Sequence, residues 1–288
     1  MNAALKTENG RFTIEEVETP VLPAADWVRA RTRVAGICGT DLRHWDKHEP
    51  ELACHVVGHE TAGEVVEVAP DVTSVAVGDR VVVKTVLGCG ECDWCPTRDA
   101  IICAGTSMRS VRRASRESMP SMASARSTNF TSCPRIRFRR RGNDRHLSVC
   151  LHAQHPSGLT IGDKVAIIGA GPIGLRQLML AKASGADGII VDKIDNFLEL
   201  ARKLGADRVI NSAGEDPVGA AMEFSDGRGV DIAFECAGGE SMAGTLPQVT
   251  QMARWCWSAG SARARQQMRW SGSGSHRGRL CSHGGVSR

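Results

Sequence analysis

Four cysteines with short, regular spacing are the residues best suited to metal chemistry in this chain. Cys89, Cys92, Cys95 and Cys103 follow the pattern C-x₂-C-x₂-C-x₇-C. Two-residue gaps let successive thiolates converge on one ion, and a fourth thiolate completes a tetrahedral shell that suits Zn²⁺. The alternatives are chance clustering or two disulfides, but disulfides need an oxidising compartment and the chain starts without an apolar signal stretch. The spacing therefore predicts a structural zinc lobe.

A second group of metal-binding residue types precedes this lobe. Cys38 lies in Gly-Ile-Cys-Gly-Thr-Asp, and His59 is followed directly by Glu60. A Cys and a His from separate loops, with a carboxylate beside the His, can form an open catalytic zinc site. Taken singly, each would more often be a buried thiol or a surface imidazole.

A third pattern is typical of dinucleotide binding. An apolar run at 164–168 leads into Gly-Ala-Gly-Pro-Ile-Gly, a helical stretch follows, and a second apolar run ends at Asp192. Glycines at these positions let the backbone approach a pyrophosphate at the helix N-terminus, and a terminal acid accepts hydrogen bonds from the adenosine ribose and repels a 2′-phosphate. The pattern favours NAD over NADP; the alternative is a Gly-rich turn in another α/β fold. The residues assigned to the cofactor are Gly169, Gly171, Pro172, Ile173, Gly174 and Asp192.

Together these patterns resemble the zinc-dependent medium-chain alcohol and polyol dehydrogenases, over about 200 of the 288 residues. The resemblance implies an α/β fold class with two domains. Residues 1–104 would form a GroES-like, mostly antiparallel β catalytic domain with the structural zinc lobe. Residues 146–253 would form a Rossmann NAD-binding domain that is truncated inside its sheet.

The same resemblance implies the chemistry, which is NAD-linked oxidation of a secondary alcohol or polyol. Catalytic zinc held by Cys38 and His59 would act as a Lewis acid on the substrate oxygen. Thr40 would hydrogen-bond that oxygen and relay its proton, with His44 as the next relay member. Asp41 would orient the His59 ring.

The third ligand of the catalytic zinc departs from the family pattern. The expected thiolate or carboxylate would fall in a segment where the pattern is lost, and Arg145 and His146 stand where a carboxylate and a proline are expected. Glu60 is the nearest substitute and is assigned as a metal ligand.

Charge divides the chain into four blocks. Residues 1–104 and 146–253 have net charges of −7 and −5, whereas residues 105–145 and 254–288 have +9 and +7. The two basic blocks are rich in Arg and Ser and carry neither strand alternation nor a helical stripe. Each begins where a dehydrogenase pattern should continue, so we interpret both as frameshifted translation.

Codons test this hypothesis at Arg254-Trp255-Cys256-Trp257-Ser258. Trp has the single codon TGG and Cys has TGY. Consider the triplets that start one nucleotide earlier than the Trp255 codon. The first encodes one of Leu, Met or Val, and the next three encode Val, Leu and Val when Ser258 has a TCN codon. Such a run predicts a buried parallel strand, the element that a Rossmann domain needs at this point.

Two other functions remain open. An inactive dehydrogenase-derived chain that keeps only structural zinc binding explains the same motifs, and an Arg-rich nucleic-acid-binding protein explains only the basic blocks. Eleven cysteines without a signal segment indicate the reducing cytoplasm, and no apolar run is long enough to cross a bilayer. We expect a small-molecule substrate, no specific nucleic acid and no membrane partner. A family-like homo-oligomer is doubtful, because the C-terminal sheet is truncated.

The four-cysteine lobe predicts one tightly held zinc. We expect chelator-washed protein to retain about one equivalent of zinc, because a complete S₄ shell holds the ion. Cys92→Ser should lose that equivalent in the same metal analysis. Full retention of zinc by the variant would show that the lobe is not the binding site.

Overall fold

The computed structural model describes residues 1–45, 47–48, 58–83, 122–126, 130–132, 144–238, 254–257 and 280–282. For residues 40, 43–44, 122–126, 144–145, 254–257 and 280–282 it describes only the course of the backbone. The described residues fall into two compact units, one within Met1–Arg145 and one within His146–Gly284. None of the helices in these ranges is both long enough and apolar enough to span a membrane.

The first unit is built on antiparallel sheet. Its elements are β1 (Asn2–Lys6), β2 (Phe12–Glu16), β3 (Trp27–Gly36), α1 (Gly39–His44), β4 (Glu60–Val68), β5 (Arg80–Val83), β6 (Met122–Arg126) and β7 (Phe130–Ser132). β1 and β2 pair as a hairpin, and the other five strands form one sheet in the order β6-β3-β4-β5-β7. Every neighbouring pair in it is antiparallel. This is the mostly antiparallel β unit that the family resemblance implies.

Alternation along β3 separates the two faces of this sheet. Val28 and Ala30 are buried in the core of the unit, whereas Arg29, between them, forms a salt bridge with Glu67 on β4. A period of two is what a half-buried strand requires. The core consists of Val28, Ala30, Val65, Val75, Val81 and Phe130.

The second unit alternates helices with parallel strands. Its elements are α2 (Asp144–Ser157), β8 (Lys164–Ile168), α3 (Pro172–Ala183), β9 (Asp187–Asp192), α4 (Asp195–Lys203), β10 (Arg208–Asn211), α5 (Pro217–Phe224), β11 (Ile232–Glu235), β12 (Arg254–Trp257) and β13 (Leu280–Ser282). The strands form one sheet in the order β10-β9-β8-β11-β12-β13. This is the order of doubly wound dinucleotide-binding sheets. The order reverses between β8 and β11, and a crevice therefore lies outside the carboxyl ends of these two strands.

Both faces of this sheet are covered at β8, which is an almost continuous apolar run. Ile167 on β8 packs in one cluster with Leu178 of α3, while the neighbouring Ile168 packs in another with Ala221 of α5. Strands buried on both faces are expected to be continuous apolar runs rather than alternating ones. Gly205 follows α4 with a φ of +94°, the left-handed conformation that commonly ends helices.

The sheet continues past the point where the sequence pattern stops. β12 and β13 contribute four and three residues, and β12 lies between β11 and β13 in parallel register. Parallel sheets carry apolar runs at such interior positions, and the last three residues of Arg-Trp-Cys-Trp are apolar. The shifted reading gives an apolar residue and then Val-Leu-Val at the same place, so both readings suit this strand position. The proposed frameshift and the domain limits drawn from it stay predictions.

Packing under α3 gives a stability prediction. Leu178 has no exposed surface, whereas the adjacent Met179 is 48% exposed on the same helix. Leu178→Ala should lower the free energy of unfolding by about 2–5 kcal/mol, because it removes buried methyl groups and leaves a cavity. Met179→Ala, the matched control, should change it by about 0.5 kcal/mol or less. Urea midpoints followed by circular dichroism measure both, and equal effects would contradict this assignment of the core.

Candidate metal centre and dinucleotide site

The register of β3 against β4 brings the first group of candidate ligands together. The end of β3 pairs with the start of β4, with Gly36 opposite Glu60. Cys38 follows β3 by two residues and His59 immediately precedes β4. Residues 21 positions apart in the sequence therefore meet at one end of the sheet.

The ligand atoms of Cys38, His59 and Glu60 lie within 4.8 Å of one another. Glu60 is 4% exposed, while Cys38 and His59 are half-buried. A thiolate, an imidazole and a carboxylate are all zinc ligands, and three protein ligands with a fourth position open are the arrangement of catalytic zinc. In a tetrahedral zinc shell such atoms stand about 3.5 Å apart, so small side-chain rotations would close this set on an ion. The donors therefore fit zinc.

Gly36 makes room for the carboxylate of this group. A Cβ atom at residue 36 would collide with Oε2 of Glu60. The side chain of Glu60 thus lies across the β3 backbone, toward the end of the strand that leads to Cys38. A side chain at residue 36 would therefore force the carboxylate onto another path.

Asp41 contacts both Cys38 and His59. Its Oδ2 accepts a hydrogen bond from the backbone N–H of Cys38 at 2.8 Å. Its Oδ1 lies 3.6 Å from Nδ1 of His59, and the side chain of Asp41 is only 8% exposed. A carboxylate facing Nδ1 leaves Nε2 as the ring nitrogen available to a metal. This is the orienting position that was predicted for Asp41.

Several predicted site residues lie outside the described part of the chain. The four cysteines of the zinc lobe, Cys89, Cys92, Cys95 and Cys103, fall in the range 84–121. Thr40 and His44 belong to α1, but only their backbone is described. Their roles stay predictions.

Three glycines of the second site have three different surroundings. Gly169 has a φ of +97°, and a Cβ there would stand 2.9 Å from Cβ of Ala237. A Cβ on Gly174 would collide with the carbonyl oxygen of Gly169, so this glycine allows the helix to pack closely on the turn. Gly171 has nothing within 4 Å of its would-be Cβ. The described protein atoms do not require a glycine there, but close approach of a pyrophosphate would.

The start of α3 suits an anion. Gly171 is its N-cap, Pro172 and Ile173 open the helix, and its first turn contains no acidic residue. Gly171 has no side chain that could cap the first N–H groups of the helix. Backbone N–H groups and the helix dipole together favour a phosphate at such an end. The structure thus brings the predicted turn, helix and acid into one βαβ unit.

Asp192 at the end of β9 is held by three backbone N–H groups. Its Oδ2 accepts from Ala170 at 2.6 Å, and its Oδ1 accepts from Lys193 at 2.7 Å and Ile194 at 3.0 Å. A carboxylate has about four lone-pair sites, so Oδ2 can still accept one bond, which leaves room for one ribose hydroxyl. The bond to Ala170 also fixes the glycine turn itself, a role that the sequence pattern does not reveal.

Glu235 is a buried carboxylate that the sequence analysis missed. It ends β11, the strand next to β8 across the reversal in strand order, and it is 2% exposed. The sequence held one signal, an acidic residue that follows the apolar Val-Asp-Ile-Ala-Phe run and precedes Cys-Ala-Gly-Gly. An acid at the carboxyl end of a parallel strand is a typical position for a site residue.

Cys150 is a structural thiol. It is fully buried on α2, and its Sγ donates a hydrogen bond to the carbonyl oxygen of Ile173 at 3.4 Å. Burial raises the pKa of the Cys150 thiol to about 12, although the charge of Arg176 lowers it in part. The group stays protonated at neutral pH and is neither a metal ligand nor a nucleophile.

Comparison with known proteins gives a family match for each of the two units. Residues 24–123 match the alcohol dehydrogenase GroES-like domain, and residues 172–265 match the zinc-binding dehydrogenase domain. Sorbitol dehydrogenase of Halalkalibacterium halodurans is 30% identical over 83% of this chain and 70% of its own length. L-threonine 3-dehydrogenase of Pyrococcus horikoshii is 34% identical over 83% of this chain and 69% of its own.

Solved structures give the same result. An alcohol dehydrogenase from Thermus sp. ATN1 superposes with a TM-score of 0.86 at 26% identity, covering 98% of this chain and 84% of that one. The predicted fold class, a GroES-like β-rich domain with a Rossmann domain, is confirmed, and so is the predicted use of zinc and NAD. The chain belongs to the zinc-dependent medium-chain alcohol and polyol dehydrogenases, a family of oxidoreductases.

Proposed function

We propose that Cys38, His59 and Glu60 hold the catalytic zinc of an NAD-linked secondary alcohol or polyol dehydrogenase. The observation that carries this proposal is the convergence of the three ligand atoms within 4.8 Å. The same chain contains a βαβ unit that ends on Asp192. A metal centre with an open position and a dinucleotide site are the two parts that hydride transfer from an alcohol requires.

The three ligands have different roles, which follow from their charge and geometry. When bound, zinc supplies a Lewis acid for the alcohol oxygen, and NAD supplies the hydride acceptor. The thiolate of Cys38 and the carboxylate of Glu60 would balance the two charges of a bound zinc ion. Asp41 faces Nδ1 of His59, so Nε2 would be the nitrogen that binds the ion.

Proton transfer is assigned to α1. Thr40 follows Cys38 by two residues in the first turn of the helix, and its hydroxyl is proposed to take the proton of the substrate alcohol. His44, at the last residue of the same helix, is proposed as the next group in the relay. The support for both roles is the family resemblance together with their place beside the metal ligand.

The relatives indicate the substrate class. One is named for sorbitol, a polyol, and the other for L-threonine, whose C3 hydroxyl is a secondary alcohol. The shared chemistry is a secondary hydroxyl on a short polar carbon chain, and we propose that class for this chain. We also propose a structural zinc on the four-cysteine lobe, a cytoplasmic location, and neither a specific nucleic acid nor a membrane as partner.

A second candidate is a dehydrogenase-derived chain that binds zinc without turnover. It is favoured by the two basic blocks, residues 105–145 and 254–288, which are rich in Arg and Ser where the dehydrogenase pattern should continue. We therefore propose that full activity belongs to the frame-restored chain.

Asp192 gives a prediction about cofactor choice. Asp192→Ala should narrow the preference for NADH over NADPH by about tenfold, because it removes the charge that repels a 2′-phosphate. Loss of the three backbone hydrogen bonds should weaken both dinucleotides alike, so the ratio of the two dissociation constants isolates the charge. Fluorescence titration with each cofactor measures it.

The control for this titration is Asp195→Ala. Asp195 is an exposed acid three residues further on, whose Oδ1 accepts from Nδ2 of Asn211 at 2.6 Å, so its loss should leave the ratio unchanged. Tighter binding of NADPH than NADH by the unaltered chain would refute the role of Asp192.

The frame hypothesis predicts activity. The nucleotide sequence should show compensating single-nucleotide insertions or deletions that bracket residues 105–145, and a further insertion or deletion near residue 254. With zinc and NAD⁺, the frame-restored chain should produce NADH from a panel of secondary alcohols and polyols, and the chain as written should give little or no turnover. Cys38→Ser in the restored chain should lose both the activity and one zinc equivalent. Comparable turnover from the two unsubstituted chains would refute the frameshift.

A further inference from the structure

The carboxylate of Glu235 holds residues 236–238, which we call the loop after β11. Oε1 of Glu235 accepts hydrogen bonds from the backbone N–H groups of Ala237 and Gly238, both at 2.7 Å. Gly238 has a φ of +74°, which turns successive N–H groups toward one oxygen. Hydrogen bonds to a carboxylate are stronger than neutral ones, so this loop has a fixed backbone course.

The same loop forms one wall of the crevice at the reversal of strand order. The N–H of Cys236 donates to the carbonyl oxygen of Ile168 at 2.8 Å, which continues the pairing of β11 with β8. Ala237 then lies so close to Gly169 that a Cβ on Gly169 would stand 2.9 Å from the backbone nitrogen of Ala237. The loop and the glycine turn therefore touch where a dinucleotide would cross the sheet.

Carboxylates fix the backbone of both walls of this crevice. Asp192 holds the glycine turn through Ala170, on the β9 side, and Glu235 holds the opposite loop through Ala237 and Gly238. Because an amide N–H and its C=O point in opposite directions, the carbonyls of Cys236 and Ala237 point away from the carboxylate. A buried carboxylate is costly to desolvate, and simple packing would be served better by an apolar side chain.

We infer that Glu235 is a positioning residue for the half of the dinucleotide that extends beyond the pyrophosphate, away from adenosine. The adenosine ribose is assigned to Asp192 on β9 and the pyrophosphate to the turn before α3. The nicotinamide half must then cross toward β11, over the loop that Glu235 fixes. This inference rests on the proposed dinucleotide site and adds a residue to it.

The test separates the two halves of the cofactor. In the full chain as written, Glu235→Ala should weaken NADH binding by about tenfold or more, because two charge-assisted bonds that hold the loop are lost. The same variant should bind ADP, which lacks the nicotinamide half, within about twofold of the unaltered chain. Glu235→Gln retains an acceptor oxygen of the same length and should bind NADH within about threefold. Titration by NADH fluorescence and by calorimetry with ADP measures all three.

The control is Glu223→Ala, which removes an acid of the same unit that is 74% exposed on α5 and should change neither affinity. Unchanged NADH binding by Glu235→Ala would overturn the inference, and so would equal weakening of ADP and NADH, which would indicate general support of the fold. If Glu235→Ala does not fold, Glu235→Gln provides the test. A Glu235→Gln variant that binds ADP normally but fails to bind NADH would overturn the claim that hydrogen-bond acceptance by Oε1 is the cause. An unaltered chain that binds neither ADP nor NADH would refute the proposed dinucleotide site, and this inference with it.

Discussion

Within the described part of the chain, carboxylates that accept backbone N–H groups fix three loops of the two candidate sites. Asp41 holds the backbone at Cys38, Asp192 holds the glycine turn at Ala170, and Glu235 holds the loop after β11. Loops have no ladder partners of their own, and their N–H groups need an acceptor when they are placed against a packed sheet. One device therefore serves the metal centre and the dinucleotide site alike. The sheets supply the position of each loop, and the carboxylate supplies its shape.

Much of the site could be predicted because its signals are local. The glycine spacing, the acid at the end of β9 and the Cys and His of the metal centre all stand within short segments, and the structure brings each group together. Glu60 was assigned only as the nearest substitute for an absent ligand. Its contribution depends on the pairing of Gly36 with Glu60, which is set by sheet register and cannot be read from spacing.

Other features depend on contacts between distant segments. The role of Glu235 requires the meeting of Ala237 with Gly169, residues 68 positions apart in the chain. The second task of Asp192, holding Ala170, likewise appears only when β8 and β9 are paired. β12 and β13 could not be predicted from the printed residues, because Arg-Trp-Cys-Trp and Leu-Cys-Ser are short runs within a block rich in Arg, Ser and Gly. The neighbouring strand and the sheet order define that position instead.

The contact between residue 36 and Glu60 constrains how this metal centre can change through evolution. A side chain at position 36 would displace the carboxylate of Glu60, since a Cβ at residue 36 would occupy the place of its Oε2. A lineage that exchanges the glutamate for a shorter residue releases position 36 to vary, whereas a lineage that keeps the carboxylate in this place is expected to keep the glycine. The two positions should thus covary among relatives, with glycine at the first marking those in which the carboxylate has stayed beside the metal.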